Sequence, residues 1–256
     1  MQALIIAGRP EELDAVSVRL WAAGCLGLED QGGRLVAYFP RRVEGLPGVW
    51  ESVAEEDWAT RWRDGLRPLS VGTVEVWPSW LPGAPPGAIV LDPGRAFGTG
   101  HHATTCLALE AMQGWVLKGR SFLDVGTGSG ILALAACRLG AGRVLGVDSD
   151  PVAIEVAREN AAANGVRARF VVEELSAGVS LPRSYAVIAN LYADAIVGGA
   201  AALARAVASR GRLAVTGLLS DQAARAAVAL VEAGLALNDR HDRDGWTLLE
   251  FVKAAK

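Results

Sequence analysis

A glycine-rich turn is the part of the sequence best suited to binding a small molecule. A mostly apolar run at residues 122–125 is followed by Gly126-Thr127-Gly128-Ser129-Gly130 and then by an apolar run from Ile131. This order predicts a buried strand, a tight turn and a helix. Glycines in such a turn let the backbone approach a ligand closely, and the first N–H groups of a helix have no partner within the helix. The segment therefore predicts a ligand site.

The spacing of these glycines bears on the kind of ligand. Gly126, Gly128 and Gly130 give the pattern G-x-G-x-G, whereas the dinucleotide fingerprint is G-x-G-x-x-G. Ile131 stands where the third glycine of that fingerprint would be. The pattern disfavours a site for a dinucleotide phosphate without excluding one.

A second candidate is Asp148, at the end of the next predicted strand and 22 residues after Gly126. A carboxylate there can accept hydrogen bonds from both hydroxyls of a ribose, each worth roughly 1.5 to 3 kcal/mol. The alternative is that Asp148 or Asp150 caps the helix that starts at Pro151. We assign Asp150 to the helix cap and Asp148 to the ribose.

A third candidate is Asn190-Leu191-Tyr192, which follows a later predicted strand. The amide of Asn190 offers both an acceptor and donors, so it can orient an incoming amine, and Tyr192 can form a wall of the reaction site. The alternative is that Asn190 caps the helix that follows. Because the carboxyl ends of parallel strands meet at one edge of a sheet, the three candidates are expected to lie together.

A loop dense in glycine and polar residues, 92–105, precedes a helix and can close over a bound ligand. It contains His101 and His102, which suggest a metal site. Adjacent side chains rarely point to one ion, however, and the sequence offers no third ligand. The three cysteines form no CxxC pair. We therefore expect neither a metal site nor a disulfide framework.

The sequence after residue 87 predicts an α/β fold. Apolar strands alternate with helical segments, which is typical of a mostly parallel sheet with helices on both faces. A closing hairpin around His241–Gly245 predicts an antiparallel last strand. The predicted strands are 88–92, 121–125, 143–147, 168–172, 185–190, 211–216, 235–240 and 246–252, and the predicted helices are 103–117, 129–139, 150–163, 192–206 and 221–233.

The first part of the chain predicts a small α+β domain. Residues 2–7 read as a strand, Pro10 opens a helix, and strands at 26–31 and 34–39 flank the turn Gly32-Gly33. We therefore divide the chain into a domain at 1–54, a helical linker at 55–66 and a second domain at 67–256.

Composition restricts the choice of partner and compartment. The formal net charge is −3 and the sequence pI is about 5.7, whereas nucleic-acid-binding proteins usually carry a basic excess. A basic protein is the better candidate partner, and we expect no requirement for nucleic acid. No signal peptide and no apolar run long enough to cross a bilayer are apparent, so we expect a cytoplasmic protein with no membrane partner.

Taken together, these segments resemble one family closely. AFGTGHHATT, LDVGTGSGILALAACRLG, GVDSDP and ANLY are similar to segments of the large-subunit ribosomal protein L11 methyltransferases. The resemblance covers almost the whole chain. It implies a seven-stranded doubly wound methyltransferase (Rossmann-like) sheet with an antiparallel last strand, preceded by a small ferredoxin-like recognition domain.

The resemblance also implies a cofactor, a substrate and site residues. The cofactor is S-adenosyl-L-methionine, which leaves as S-adenosyl-L-homocysteine, and the acceptors are the N-terminal α-amine and lysine ε-amines of the ribosomal protein. We expect Asn190 and Tyr192 at the reaction centre of a monomeric enzyme. The expected cofactor-binding residues are Phe97, Gly98, Thr105, Asp124, Gly126, Gly128, Asp148 and Asn190.

Three other functions stay open at this point. One is a methyltransferase acting on a nucleic-acid amine or on another protein, although Asn190-Leu191-Tyr192 lacks the two prolines of the adenine-modifying form. Another is a nicotinamide-dependent dehydrogenase, which the glycine spacing disfavours. The third is a binding protein that keeps the nucleoside site without catalysis.

Overall fold

The structure is a computed structural model that describes residues 2–8, 13, 16, 19–20, 23–25, 27–30, 33–52, 66–93 and 100–255. The predicted linker helix at 55–66, apart from Leu66, and the residues Phe97 and Gly98 lie outside the described residues. The chain divides into two compact units, Met1–Leu66 and Arg67–Lys256.

The first unit contains a four-stranded antiparallel sheet. Its strands are β1 (Gln2–Ala7), β2 (Gly27–Asp30), β3 (Arg34–Phe39) and β4 (Val49–Ser52), in the order β2-β3-β1-β4. Leu13 and Leu20, which have helical backbone, share one core with Leu4 and Phe39. The sequence did not predict β4, because it is only four residues long and mostly exposed.

The second unit begins with a small three-stranded sheet. It consists of β5 (Leu69–Val71), β6 (Val74–Pro78) and β7 (Ile89–Leu91), in the order β5-β6-β7. The alternating pattern predicted residues 88–92 as part of the main parallel sheet, and this prediction is wrong. The three residues of β7 pair parallel to β6.

Two asparagines of one helix occupy the other edge of β7. The backbone N–H of Val90 donates to Asn164 Oδ1 at 2.9 Å, and that of Asp92 donates to Asn160 Oδ1 at 3.0 Å. Both amide nitrogens donate back, to Val90 O at 2.6 Å and to Asp92 O at 2.9 Å. Side-chain amides thus take the place of a neighbouring strand, a pairing that hydrophobic periodicity does not reveal.

The main sheet has seven strands in the order β10-β9-β8-β11-β12-β14-β13. The pairs from β10 to β12 are parallel, while β14 runs antiparallel to both β12 and β13, as predicted. The strands are β8 (Ser121–Val125), β9 (Arg143–Asp148), β10 (Arg169–Val172), β11 (Ser184–Asn190), β12 (Val207–Leu219), β13 (Ala236–Arg243) and β14 (Trp246–Val252).

Five helices accompany this sheet: α1 (Ala103–Gln113), α2 (Ile131–Arg138), α3 (Pro151–Ala163), α4 (Ala193–Ala206) and α5 (Ala223–Glu232). Leu123 and Val125 of β8 belong to the core that α4 and α5 cover. The intervening residue Asp124 contacts the first turn of α2. Because successive side chains of a strand point to opposite faces, α2 lies on the face opposite to α4 and α5.

Candidate functional site

Three parallel strands end at the same edge of the main sheet. β8 lies between β9 and β11, with Val125 opposite both Val147 and Ala189. The residues that follow these positions are Gly126, Asp148 and Asn190. The edge formed by the carboxyl ends of these strands, called the carboxyl edge below, therefore brings the three sequence-predicted candidates together.

The glycine-rich turn is tied to the end of β9. The N–H groups of Gly126 and Thr127 both donate to Val147 O, at 2.8 and 3.0 Å. Gly126, Gly128 and Gly130 all have positive φ, at 75°, 52° and 85°, where any other residue would be strained. This explains the G-x-G-x-G spacing, since the left-handed conformation recurs at every second residue.

Asp150 caps the helix after β9, as the sequence predicted, and Asp148 does not. Asp150 is the N-cap of α3 and accepts from Val152 N–H at 2.8 Å, with Pro151 in the first turn. Asp148 accepts from Gly128 N–H through Oδ2 at 2.9 Å and from Asp150 N–H through Oδ1 at 3.0 Å. The half-buried Asp148 carboxylate is therefore held against the turn by backbone donors.

Asp124 is a fully buried carboxylate directly before the turn. Its Oδ2 accepts from the Thr127 hydroxyl at 2.7 Å and from Ala133 N–H at 3.2 Å, while Oδ1 has no hydrogen-bond partner among the described residues. Desolvation raises its pKa to about 7, against the lowering effect of these two donors. A cationic ligand group beside this oxygen would be stabilised electrostatically.

A hydrogen-bonded chain reaches Asn190 from the start of α1. His102 is the N-cap of α1, with Nδ1 accepting from Thr104 N–H and lying 2.8 Å from Thr104 Oγ1. Burial lowers the pKa of His102, so at neutral pH the ring is neutral and Nδ1 can accept the hydroxyl proton. Thr104 Oγ1 then accepts from Asn190 Nδ2 at 3.2 Å. This direction turns the amide nitrogen of Asn190 toward Thr104 and leaves its oxygen on the other side.

Leu191 and Tyr192 complete the segment after β11. A Cβ added to Gly126 would come within 2.4 Å of the Leu191 side chain, which would have to shift to make room for it. Tyr192 is the N-cap of α4 by backbone position and is 47% exposed. The alternative that Asn190 caps this helix is therefore wrong. The side chain of Asn190 is available for another role.

The start of α1 contributes a different threonine from the one predicted. Thr105 is buried in the first turn of α1, but the hydroxyl that contacts Asn190 belongs to its neighbour Thr104. Neither Thr104 nor the capping role of His102 was predicted from the sequence. A histidine two residues before a threonine at a predicted helix start is the signal that could have indicated both.

Among the described residues, no group of three or more His, Cys, Asp or Glu side chains is arranged to hold a metal ion. Within the same residues, no helix combines the length and apolar character needed to cross a membrane.

The parallel sheet with its antiparallel last strand, and the carboxyl-edge site after β8, β9 and β11, define an α/β methyltransferase fold. A solved structure of the ribosomal protein L11 methylase from Lactobacillus delbrueckii subsp. bulgaricus has the same fold, with a TM-score of 0.68 at 29% identity. The structural match covers 74% of this chain and 100% of the Lactobacillus chain.

Sequence comparison identifies the family. The family model described as Ribosomal protein L11 methyltransferase (PrmA) matches residues 35–254. Relatives named ribosomal protein L11 methyltransferase include that of Thermus thermophilus, 39% identical over 96% of this chain and 97% of its own length. The relative from Deinococcus radiodurans is 41% identical over 89% of this chain and 84% of its own length. The chain belongs to the ribosomal protein L11 methyltransferase family, which confirms the resemblance seen in its motifs.

Proposed function

We propose that this chain transfers methyl groups from S-adenosyl-L-methionine to amines of ribosomal protein L11. The family membership supports the reaction and the substrate. In this chain, the main support is that Gly126, Asp148 and Asn190 lie together at one edge of the sheet. We further propose that the acceptors are the N-terminal α-amine and lysine ε-amines, and that the enzyme acts as a monomer.

The residues at the carboxyl edge fit an adenosyl sulfonium compound. The turn at Gly126–Gly130 would pass beneath the ligand, and Asp148, at the end of β9, would accept from the ribose hydroxyls through the lone pairs that its backbone donors leave free. Asp124 Oδ1, buried without a described partner, would accept from the α-ammonium group of the methionine moiety. A dinucleotide is the poorer fit, since the buried carboxylate of Asp124 lies directly before the turn and would disfavour a phosphate there.

The bound cofactor would supply a methyl group that is already activated by the positive sulfur. The protein therefore has to position a neutral amine in line with it, at about 3 to 3.5 Å. Asn190 would accept a hydrogen bond from the amine through Oδ1, the atom turned away from Thr104. Tyr192 would form a wall of the same site. Desolvation beside a positive charge lowers the pKa of an ammonium group and favours the neutral, nucleophilic form.

The finer architecture is also part of the proposal. We infer a doubly wound catalytic sheet, because α2 and the pair α4 and α5 lie on opposite faces. The order β2-β3-β1-β4, all antiparallel, is that of a ferredoxin-like sheet in which a loop at 40–48 replaces the second helix. We propose that residues 1–54 recognise the substrate, that 55–66 is a linker, and that 67–256 carries catalysis with Phe97, Gly98 and Thr105 at the cofactor.

The decisive experiment is transfer of a labelled methyl group. Purified enzyme and labelled S-adenosyl-L-methionine are incubated separately with ribosomal protein L11, with ribosomal RNA and with a lysine-rich unrelated protein. Label in L11, located by mass spectrometry on the α-amine and lysines, is the expected result. Label in RNA alone, or equal label in the unrelated protein, would refute the proposed substrate.

A further inference from the structure

The edge of the main sheet opposite to the carboxyl edge has an unusual charge. It is called the amino edge here and is formed by the residues at which the parallel strands begin. Ser121 of β8 lies opposite Arg143 of β9, and Arg169 begins β10 beside Leu145. Arg183 directly precedes β11, and Arg212 of β12 lies opposite Ala186 of β11. These arginines therefore lie along one edge of the sheet.

The amino edge is basic where β8 to β12 begin. Its exposed arginines are Arg120, Arg143, Arg167, Arg169, Arg183 and Arg210. The segments around these strand starts, 117–121, 138–143, 164–170, 178–184 and 207–212, contain no aspartate or glutamate, whereas the exposed Glu232 at the end of α5 precedes β13. Among the described residues, the carboxylate of Glu250 approaches this edge, at 4.0 Å from Arg212. The positive charges are thus left for solvent or for a partner.

The carboxyl edge has the opposite character. Asp150, Glu173, Glu174 and Asp221 are exposed in the loops that follow β9, β10 and β12. The net charge of −3 therefore combines two edges of opposite sign within one unit. A polyanion is attracted to the amino edge and repelled from the carboxyl edge, so it would not compete for the methyl-transfer site.

The chemistry of the amino edge fits a phosphate backbone. Arginine binds phosphate through two parallel N–H donors and stacks on flat rings, which lysine does not do. The Arg120 guanidinium carbon already lies 4.8 Å from the centroid of the Tyr185 ring. Arginines combined with an aromatic ring are typical of surfaces that bind single-stranded nucleic acid.

We propose that the amino edge of this sheet is a docking surface for the phosphate backbone of RNA. The choice of RNA as the polyanion rests on the proposed function, because a ribosomal protein occurs together with RNA in the ribosome. The charge arrangement itself is independent of that function. Docking at this edge brings the enzyme to RNA without occupying the carboxyl edge.

The test is the salt dependence of RNA binding. A fluorescently labelled oligouridylate is titrated with the full chain by anisotropy, at several KCl concentrations between about 50 and 200 mM. R143Q/R167Q removes two amino-edge charges. R225Q/R240Q removes two exposed charges that lie elsewhere and pair with Asp194 and Asp242, and it serves as the matched control.

The expected result separates the two variants. Removing two phosphate contacts should make the slope of log K against log [KCl] shallower by about 1.4 in R143Q/R167Q, while R225Q/R240Q should keep the wild-type slope. Thermal unfolding and S-adenosyl-L-methionine affinity of both variants should stay at wild-type values.

Three outcomes would overturn the proposal: no binding by wild type at the lowest salt, equal loss in both variants, or retention by phosphatidylserine vesicles without binding to the oligouridylate. None of these measurements depends on methyl transfer, so the proposal and the proposed function fail separately. If L11 receives no label but the slope changes as expected, the docking surface stands and the substrate does not.

Discussion

The amide of Asn190 is oriented by the hydroxyl of Thr104, a residue 86 positions earlier in the chain, through a hydrogen bond of 3.2 Å. Thr104 is 1% exposed and belongs to α1, whereas Asn190 ends β11. A residue of the main sheet is therefore fixed in its rotation by a helix that comes before that sheet in the sequence. Loss of this hydrogen bond should therefore affect the rate of methyl transfer more than the affinity for the cofactor.

Thr104→Val keeps the size of the side chain and removes the acceptor for Asn190 Nδ2. We expect single-turnover methyl transfer to slow about five- to ten-fold, equivalent to about 1 to 1.4 kcal/mol. S-adenosyl-L-methionine affinity should change by less than about two-fold. Thr104→Ser restores the hydroxyl and should recover most of the rate. A loss of cofactor affinity equal to the loss of rate would contradict the positioning role.

Asp148→Ala should weaken S-adenosyl-L-methionine binding by about 1.5 to 4 kcal/mol, or about ten-fold to several hundred-fold, because one or two ribose hydrogen bonds are lost. Asp150→Ala is the matched control two residues away. It removes the cap of α3 and should lower the free energy of unfolding by about 1 kcal/mol with little effect on affinity. Calorimetry and urea unfolding of both variants distinguish the roles, and equal affinities would remove Asp148 from the site.

Asp124→Asn tests the buried carboxylate through the pH dependence of stability. Because the pKa of Asp124 is raised to about 7 in the folded protein, the native state binds this proton more tightly than the unfolded chain. Its contribution to the free energy of unfolding therefore falls as the pH rises from about 4 to about 7. The variant lacks this titration, so its stability relative to wild type should increase over that range.

The size of this effect is at most a few kcal/mol, since one pKa unit corresponds to about 1.4 kcal/mol. Urea unfolding of both proteins without cofactor at pH 5 and pH 8 gives the comparison. Parallel stability profiles would mean that Asp124 is ionised in the native state throughout.

Asn160→Asp should be more destabilising than Asn164→Asp, although the two asparagines lie one turn apart on α3. Asn160 Nδ2 donates to Asp92 O and to Ser129 O, both at 2.9 Å, and Asn160 is 3% exposed. A carboxylate there would face two carbonyl oxygens, at a cost of about 1 to 3 kcal/mol.

Asn164 Nδ2 also donates to two carbonyl oxygens, Val90 O at 2.6 Å and Asn160 O at 2.8 Å. At this position, however, the neighbouring Arg138 guanidinium, 3.3 Å from Asn164 Oδ1, would offset part of the loss. The free energies of unfolding from urea titrations give the order of the two variants. Equal values, or the reverse order, would mean that the Arg138 guanidinium does not compensate a carboxylate at position 164.

Local patterns in the sequence predicted much of this fold and of the candidate site. The run from Phe122 to Ile131 predicted β8, the turn and α2 because burial and glycine conformation are local properties. Asp150 was predicted as a cap for the same reason. β4, Thr104 and the asparagine pairing of β7 depend on contacts between distant segments, which spacing does not encode.

The distribution of charge over the sheet could not be predicted from the net charge either. A net value of −3 favoured a basic protein as partner, but an average cannot reveal that positive and negative side chains lie at opposite ends of the same strands. That separation depends on strand order, since the six exposed arginines of the amino edge are scattered over 91 positions of the sequence, from Arg120 to Arg210.

The pairing of β7 with Asn160 and Asn164 also bears on the behaviour of the protein at high concentration. Unpaired N–H and C=O groups of an edge strand are a template on which strands of other molecules can add, and such addition begins aggregation. At Val90 and Asp92 those groups are already occupied by side-chain amides. The helix thus shields an apolar strand, Ile-Val-Leu, from intermolecular association through two side-chain amides.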